Sequence, residues 1–396
     1  MLLGHKIRLA PNKVQATYFA KAAGVARFAY NWALLRWQEQ YQENLADPSQ
    51  PKPNEAALRR QLNAIKREQY PWMLEVTKSA PQMAIIQLGQ AFDNFFAHRT
   101  GFPRLRRKGT DDRFTIANDL FCIENRRIRI PKLGWVRMRE TLRFTGRIVS
   151  ATISCVAGNW YAGITVDMPD EPPLPPAENQ GAVGVDLGVT TLATLSNGEV
   201  FIGPKALLSS RKKLRRLERV LSRKVKGSRN RAKEKLKLAK LHARIANLRR
   251  ESLHQLTTDL TRSFHTIGIE DLNVKGMLRN HRMARVIADM GFHELRRQLE
   301  YKAAWRGGRV VVADCWFPSS KLCSCCGHRL KALALGVRQW RCPGCSTLHD
   351  RDVNATINLE KLAVSSTVSA CGGEGAGLAC KRRTKPAPVK QEFNSR

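Results

Sequence analysis

Three short stretches of this chain each carry an acidic residue in a setting that specifies geometry. Asp186 sits within Val183-Gly-Val-Asp-Leu-Gly-Val-Thr-Thr191, Glu270 ends the apolar run of Ile267-Gly-Ile-Glu-Asp-Leu-Asn-Val274, and Asp352 opens a helical pattern in His349-Asp-Arg-Asp-Val-Asn-Ala355. Short β-branched runs separated by helical stretches are the pattern of an α/β sheet. An unpaired carboxylate is costly to bury in such a strand. Each acid has a structural explanation of its own: a buried Arg partner for Asp186, a strand end for Glu270, helix capping for Asp350 and Asp352. Together they suit two-metal phosphodiester chemistry, in which carboxylates from separate elements hold two Mg²⁺ ions about 3.5–4 Å apart. Asp352 is the expected ligand of the last pair, with Asp350 as cap or outer support and Asn354 orienting the site.

Charge names the phosphodiester. Sixty-eight Lys and Arg against 33 Asp and Glu leave a formal +35. A surplus of that size repels itself unless polyphosphate lies alongside. It is concentrated at residues 205–250, where 19 Lys and Arg face two acids, Glu218 and Glu234. The expected partners are nucleic acids. No run of about 18 apolar residues exists to span a membrane, and Met-Leu-Leu-Gly-His-Lys-Ile-Arg lacks the apolar segment of a secretory signal. A reduced, cytoplasmic, nucleoid-associated protein is expected.

The pattern changes along the chain. Residues 5–9 alternate like a strand, and residues 12–97 read as a helical bundle broken at Asp47–Asn54. Ser79 is expected to cap a helix with Pro81 in its first turn, followed by Met83, Ile86, Leu88, Ala91 and Phe95. Arg-bearing alternating runs between 101 and 170 predict a basic-faced β-barrel. Residues 171–180 read as a linker, and 181–314 with 346–363 as a nuclease domain. Asn197-Gly198 marks a hairpin. Long helices fill 205–262, interrupted near Gly227-Ser228, with Leu241, Ile245, Leu248, Leu256 and Leu260 as their apolar stripe. Another helix is expected at Asp289–Trp305, and 364–396 reads as a disordered basic tail.

Cys323-x2-Cys326 and Cys342-x2-Cys345, with 15 residues between the pairs, match a four-cysteine zinc ribbon over 315–345. Cys325 offers an alternative register, although Gly327 favours the first. Cys122, Cys155, Cys315, Cys371 and Cys380 read as core or tail thiols.

The order Asp, Glu, Asp, with the cysteines just before the last acid, resembles the TnpB (OrfB) family of bacterial insertion sequences, relatives of the type V CRISPR effector nucleases. The resemblance rests on Gly184-Val-Asp-Leu-Gly188, Ile269-Glu-Asp-Leu-Asn-Val-Lys-Gly-Met277, Ser319-Ser-Lys-Leu-Cys-Ser-Cys-Cys-Gly327 and His349–Ala355. Gly101-Phe-Pro-Arg-Leu-Arg-Arg107, Ile130-Pro-Lys-Leu-Gly-Trp135 and Arg8-Leu-Ala-Pro-Asn12 extend it, so that it covers roughly residues 5–363. It implies an α/β multi-domain protein: an RNase H-like RuvC nuclease core with an inserted zinc ribbon, a helical recognition bundle at 11–100 and an OB-like β-barrel built from 1–10 and 101–170.

The implied activity is RNA-guided cleavage of double-stranded DNA beside a short motif. Asp186, Glu270 and Asp352 would hold two Mg²⁺, and Cys323, Cys326, Cys342 and Cys345 one Zn²⁺. The guide RNA would come from the transposon end, with one protein chain per RNA. A transposase acting directly on element ends would carry Asp-Asp-Glu and a helix-turn-helix reader, neither of which is apparent, and an RNA-guided DNA-binding repressor would be expected to have lost an acid. Lys78, Ser79 and Gln82 at a helix start, and Thr115 and Asn118 at a strand end, are the candidate readers of an A/T-rich motif.

Overall fold

Asn12 starts the first helix. Its side chain accepts the Gln15 amide at 2.8 Å while Gln15 Oε1 accepts the Asn12 amide at 3.0 Å, a reciprocal capping box. The computed structural model describes residues 1–110, 112–117, 120–169, 174–334 and 336–371. They divide into two units, one of residues 1–175 and 204–253, the other of residues 176–203 and from 254 onward.

In the first unit, β1 (Leu2–Arg8) precedes α1 (Lys13–Ala46), α2 (Glu55–Gln69) and α3 (Ser79–Phe96). The expected break at 47–54 separates α1 from α2, and Asn54 caps the latter by accepting the Ala57 amide at 2.8 Å. Ser79 is not the cap of α3. It is the first helical residue, 1% exposed, and its amide faces the Thr77 hydroxyl at 3.4 Å. The buried stripe of α3 is accordingly Ala84, Ile85, Leu88 and Phe92, with Met83, Ile86, Ala91 and Phe95 half-buried. Phe92 stacks on Trp37 of α1 at 4.3 Å.

The strands are β2 (Arg113–Ala117), β3 (Cys122–Glu124), β4 (Arg127–Ile130), β5 (Gly134–Arg137), β6 (Arg147–Val156) and β7 (Asn159–Asp167). They form an antiparallel sheet in the order β1-β7-β6-β2 and a separate three-stranded sheet β3-β4-β5. A lone bridge between Leu9 and Met138 joins the two. Among the described residues no closed barrel forms, which corrects the expected OB-like barrel. Alternation reports that each strand is half-buried; closure depends on pairing between edge strands, which alternation does not encode.

The basic stretch forms α4 (Ala206–Ser222) and α5 (Arg229–Ser263), broken at Gly227 with φ 85°. Residues 229–253 of α5 belong to this unit. Leu241 and Ile245 pack on Ala206, Leu214 and Leu217, whereas Leu248, expected in the stripe, is exposed.

The second unit holds β8 (Asn179–Asp186), β9 (Ala193–Leu195), β10 (Val200–Phe201), β11 (Phe264–Glu270) and β12 (Arg309–Ala313) in one sheet ordered β10-β9-β8-β11-β12. β11 is parallel to both β8 and β12, while β9 runs antiparallel to β8 and β10. β8 begins inside the expected linker. The helix expected over 289–305 is two helices, α7 (Ala284–Met290) and α8 (Phe292–Ala304), after the short α6 (Val274–Arg279). Gly291 parts them with φ 74°.

β13 (Gln339–Arg341) and β14 (Leu348–Asp350) form a small hairpin that leads into α9 (Arg351–Cys371). The helix therefore covers 364–371, the beginning of the expected tail, running on from the buried Leu359 and Ala363. Residues 372–396, with Cys380, lie outside the described residues. Cys122 and Cys315 are exposed rather than in a core. Among the described residues no helix is long and apolar enough to cross a membrane.

α9 lies unusually close to the sheet. Gly184 and Gly268 are register partners on β8 and β11. A Cβ on Gly184 would stand 1.8 Å from the Thr356 carbonyl oxygen, and one on Gly268 2.5 Å from that of Leu359. Only residues without side chains admit a helix backbone at that distance.

Candidate functional site

β8 and β11 run side by side, with Val185 opposite Ile269, so Asp186 and Glu270 close adjacent parallel strands at the same end. Asp350 caps α9 by accepting the amides of Asp352 and Val353 at 3.0 and 3.1 Å. That places Asp352 in the first turn, where the helix dipole favours an anion. Asp186 feels the other two carboxylates. Burial first, and then the charges of Glu270 and Asp352, raise its carboxyl to about 7, against the Leu187 amide and Arg351. Asp352 also receives Arg338 Nη1 at 3.1 Å.

A second cluster supports the first. Sγ atoms of Cys323, Cys326, Cys342 and Cys345 all lie within 4.8 Å of one another, with Cys323–Cys345 and Cys326–Cys342 at 3.6 Å. Tetrahedral thiolates around zinc stand about 3.8 Å apart, so the donor set fits a zinc site. Cys325 lies outside the group, so the gathered sulfurs are those of the first register. Each knuckle closes through a positive-φ residue, Gly327 at 77° and Ser346 at 59°.

Loop 319–324 joins the two clusters. Asn358 Nδ2 donates to the carbonyls of Ser319 and Leu322 at 2.8 and 2.7 Å. Asn354 Nδ2 donates to Leu322 O at 2.7 Å, and its Oδ1 accepts the Ser324 amide at 2.9 Å. The Ser319 hydroxyl donates to Glu270 Oε1. His349 Nε2 lies 3.0 Å from Cys323 Sγ, its ring 4.8 Å from that of Trp340.

Comparison with known proteins bears on this arrangement. A family model described as "Probable transposase" matches residues 164–281, and one described as "Cas12f1-like, TNB domain" matches 292–359. A Streptomyces pristinaespiralis protein named "Putative RNA-guided DNA endonuclease" is 37% identical, over 98% of this chain and 95% of its own. InsQ of Escherichia coli K12, given the same description, is 36% identical over 94% of each chain. The chain belongs to the TnpB family. A solved Cas12f1-sgRNA-target DNA complex shares its fold at TM-score 0.56 and 15% identity, covering 88% of this chain and 83% of that one. A family model described as "Helix-turn-helix domain" also matches residues 1–45. In this TnpB-family chain those residues form β1 and most of the single 34-residue helix α1.

The expected motif readers are dispersed. Lys78 and Gln82 are exposed and line a cavity of about 200 Å³ with Arg59 and Lys66. Ser79 is buried. Thr115 is 5% exposed, its hydroxyl 2.9 Å from Gln87 Nε2 and from Thr152 Oγ1. Neither hydroxyl reaches outward to a base edge. Asn118 lies outside the described residues. Sequence reasoning missed Ser319, Arg338, His349 and Asn358. A signal existed only for the last, which repeats Asn354 one helical turn on.

Proposed function

We propose that this protein is an RNA-guided DNA endonuclease encoded by a transposable element, cutting DNA beside a short motif. The observations that carry the reading are that Asp186 and Glu270 close the paired strands β8 and β11 and that the charge of Asp352 acts on Asp186, in a chain whose relatives, matched over 94–98% of it, are named for that activity. The mixed sheet, antiparallel through β9 and β10 and parallel through β11 and β12, supports an RNase H-like RuvC core.

The three carboxylates offer hard oxygen donors, which Mg²⁺ prefers. Burial and, after it, the charges of Glu270 and Asp352 lift the Asp186 carboxyl, an effect that a bound cation would offset. Two Mg²⁺ bound there would activate the attacking water and steady the departing 3′ oxygen. The chain's own contribution is alignment: paired glycines seat α9, Asp350 fixes its first turn, and Ser319 holds Glu270. One Zn²⁺ held by Cys323, Cys326, Cys342 and Cys345 would brace the loop that supplies Ser319.

The α4–α5 hairpin, with its 19-to-2 excess of cations over 205–250, is the proposed seat for RNA phosphates. We assign the guide RNA to the transposon end, with one chain per RNA, in the bacterial cytoplasm beside the nucleoid. Lys78 and Gln82 remain the proposed readers of the motif beside the target, since both are exposed on one cavity wall.

The test is to purify the protein, sequence the RNA that accompanies it, and offer labelled duplex DNA matched to that RNA behind a randomised flank. Mg²⁺-dependent cutting of matched DNA alone is expected. Cutting of unmatched element ends without RNA would establish a transposase instead, and guided binding without cutting a repressor.

A further inference from the structure

The three-stranded sheet of the first unit has one apolar and one basic face. Ile128, Ile130 and Val136 are buried on one side, while Arg127, Arg129, Trp135 and Arg137 are exposed on the other. Register makes this second face a compact patch: Arg129 stands opposite Trp135, and Arg127 opposite both Arg137 and Glu124. Cross-strand neighbours lie about 5 Å apart and same-face residues about 6.8 Å along a strand. The β3–β4 hairpin closes through Asn125 (φ 48°) and Arg126, which brings a further cation to its tip. A groove of about 950 Å³ runs across the patch, lined by Glu124, Arg126, Arg127, Trp135 and Arg137, with Asn125 and Thr141 as polar walls.

Nothing in the nuclease site uses this face. Trp135 is 36% exposed, and its edge strand is anchored where the Trp135 carbonyl accepts Gln15 Nε2 at 2.9 Å. An indole held on a rigid sheet among four guanidiniums and one carboxylate is electrostatically matched to an anion that carries aromatic rings. Duplexes keep their bases stacked inside, so a flat sheet face reaches only unpaired bases; aromatic residues on sheets bind single-stranded RNA in this way. We propose that the β3–β5 face is a stacking platform for single-stranded RNA. One base lies on Trp135, the Arg127–Arg137 pair and Arg126 hold the flanking phosphates, and Asn125 and Thr141 face the 2′-hydroxyls. The proposal rests on the RNA-binding part of the function proposed above and assigns it a surface.

The test uses the full chain with oligouridine of about twenty nucleotides, in about 0.3 M salt to mute diffuse charge attraction. Irradiating the complex of wild-type protein with 5-iodouridine-substituted oligomer is expected to give an adduct on Trp135, mapped by mass spectrometry. Trp135→Ala should weaken oligouridine binding about tenfold, the effect of losing one stacked base, and Trp135→Phe less than about threefold. Binding of an RNA duplex of equal length should change less than about twofold. Tight wild-type binding with no adduct at Trp135 and equal affinity in Trp135→Ala would overturn the proposal while leaving the parent reading intact. A stronger adduct with oligothymidine would overturn it in favour of a DNA strand. Failure of the wild-type chain to bind any oligouridine would overturn the platform, while the parent reading stands or falls on the RNA that copurifies.

Discussion

Ser319 donates its hydroxyl to Glu270, and its carbonyl is gripped by Asn358 from α9. One residue thus ties the end of β11, the start of the cysteine loop and the helix that carries Asp352. Residues that orient ligands in this way typically contribute about 10–100-fold to metal affinity or activity. Ser319→Ala is expected to slow cleavage by about that factor and to raise the Mg²⁺ concentration needed, with zinc content unchanged. Ser319→Thr should restore most of the rate. A Mg²⁺ titration of initial rates checks both.

The glycine pair makes a steric prediction. Gly184→Ala puts a methyl 1.8 Å from the Thr356 carbonyl oxygen, so α9 must move. Overpacking typically costs about 1–3 kcal/mol, visible as a lower urea midpoint, and the displaced Asp352 should take cleavage with it. Gly4→Ala, which meets nothing within 4 Å, should be neutral in both assays.

One zinc per chain should copurify, and elemental analysis of fresh protein counts it. Structural zinc supplies folding free energy, so Cys342→Ser should lower the zinc content and loosen loop 319–324. Because Ser319 of that loop holds Glu270 and Asn354 bonds Leu322 and Ser324 in it, cleavage should fall as well. Cys325→Ser should leave zinc content unchanged, since Cys325 stands outside the cluster.

Asp186 sets a pH dependence of two opposite signs. Its carboxyl rises from 3.8 to about 7 on folding, so the folded chain holds this proton where the unfolded chain has released it. The associated stability is present below about pH 4 and is lost as pH climbs to 7, by at most about 4 kcal/mol. Metal-free wild-type protein should therefore lose stability relative to Asp186→Asn across that window, measured by urea unfolding at several pH values. Cation binding requires the proton gone. Mg²⁺ affinity of the wild type should rise with pH between about 6 and 8, measured by calorimetry.

What the sequence made legible was chemistry with local spacing. Two Cys-x2-Cys pairs announce a tetrahedral site, and the structure gathers those four sulfurs while leaving Cys325 out. The strand runs around Asp186 and Glu270 were readable from β-branched residues bounded by turns, and the break at Gly227 from its glycine. The role of Ser319 was not readable, because it exists only once α9 folds back on the cysteine loop, and Asn358 was signalled only by its repeat of Asn354 one helical turn on. The barrel failed for a related reason: alternation assigns faces, and nothing local in β3, β4 or β5 states which edge pairs with which. Ser79 misled because a capping residue type next to a proline also fits inside a first turn, where Thr77 takes the amide instead.

Asp186, Glu270 and Asp352 are proposed to form one cutting site served by a bound RNA. Cleavage and binding of matched target DNA by the wild type and by Asp186→Ala, Glu270→Ala and Asp352→Ala, each with its RNA and Mg²⁺, test this. Every variant is expected to lose cutting by at least about a thousandfold while binding the target with near wild-type affinity. Wild-type cutting by any one of the three would contradict it.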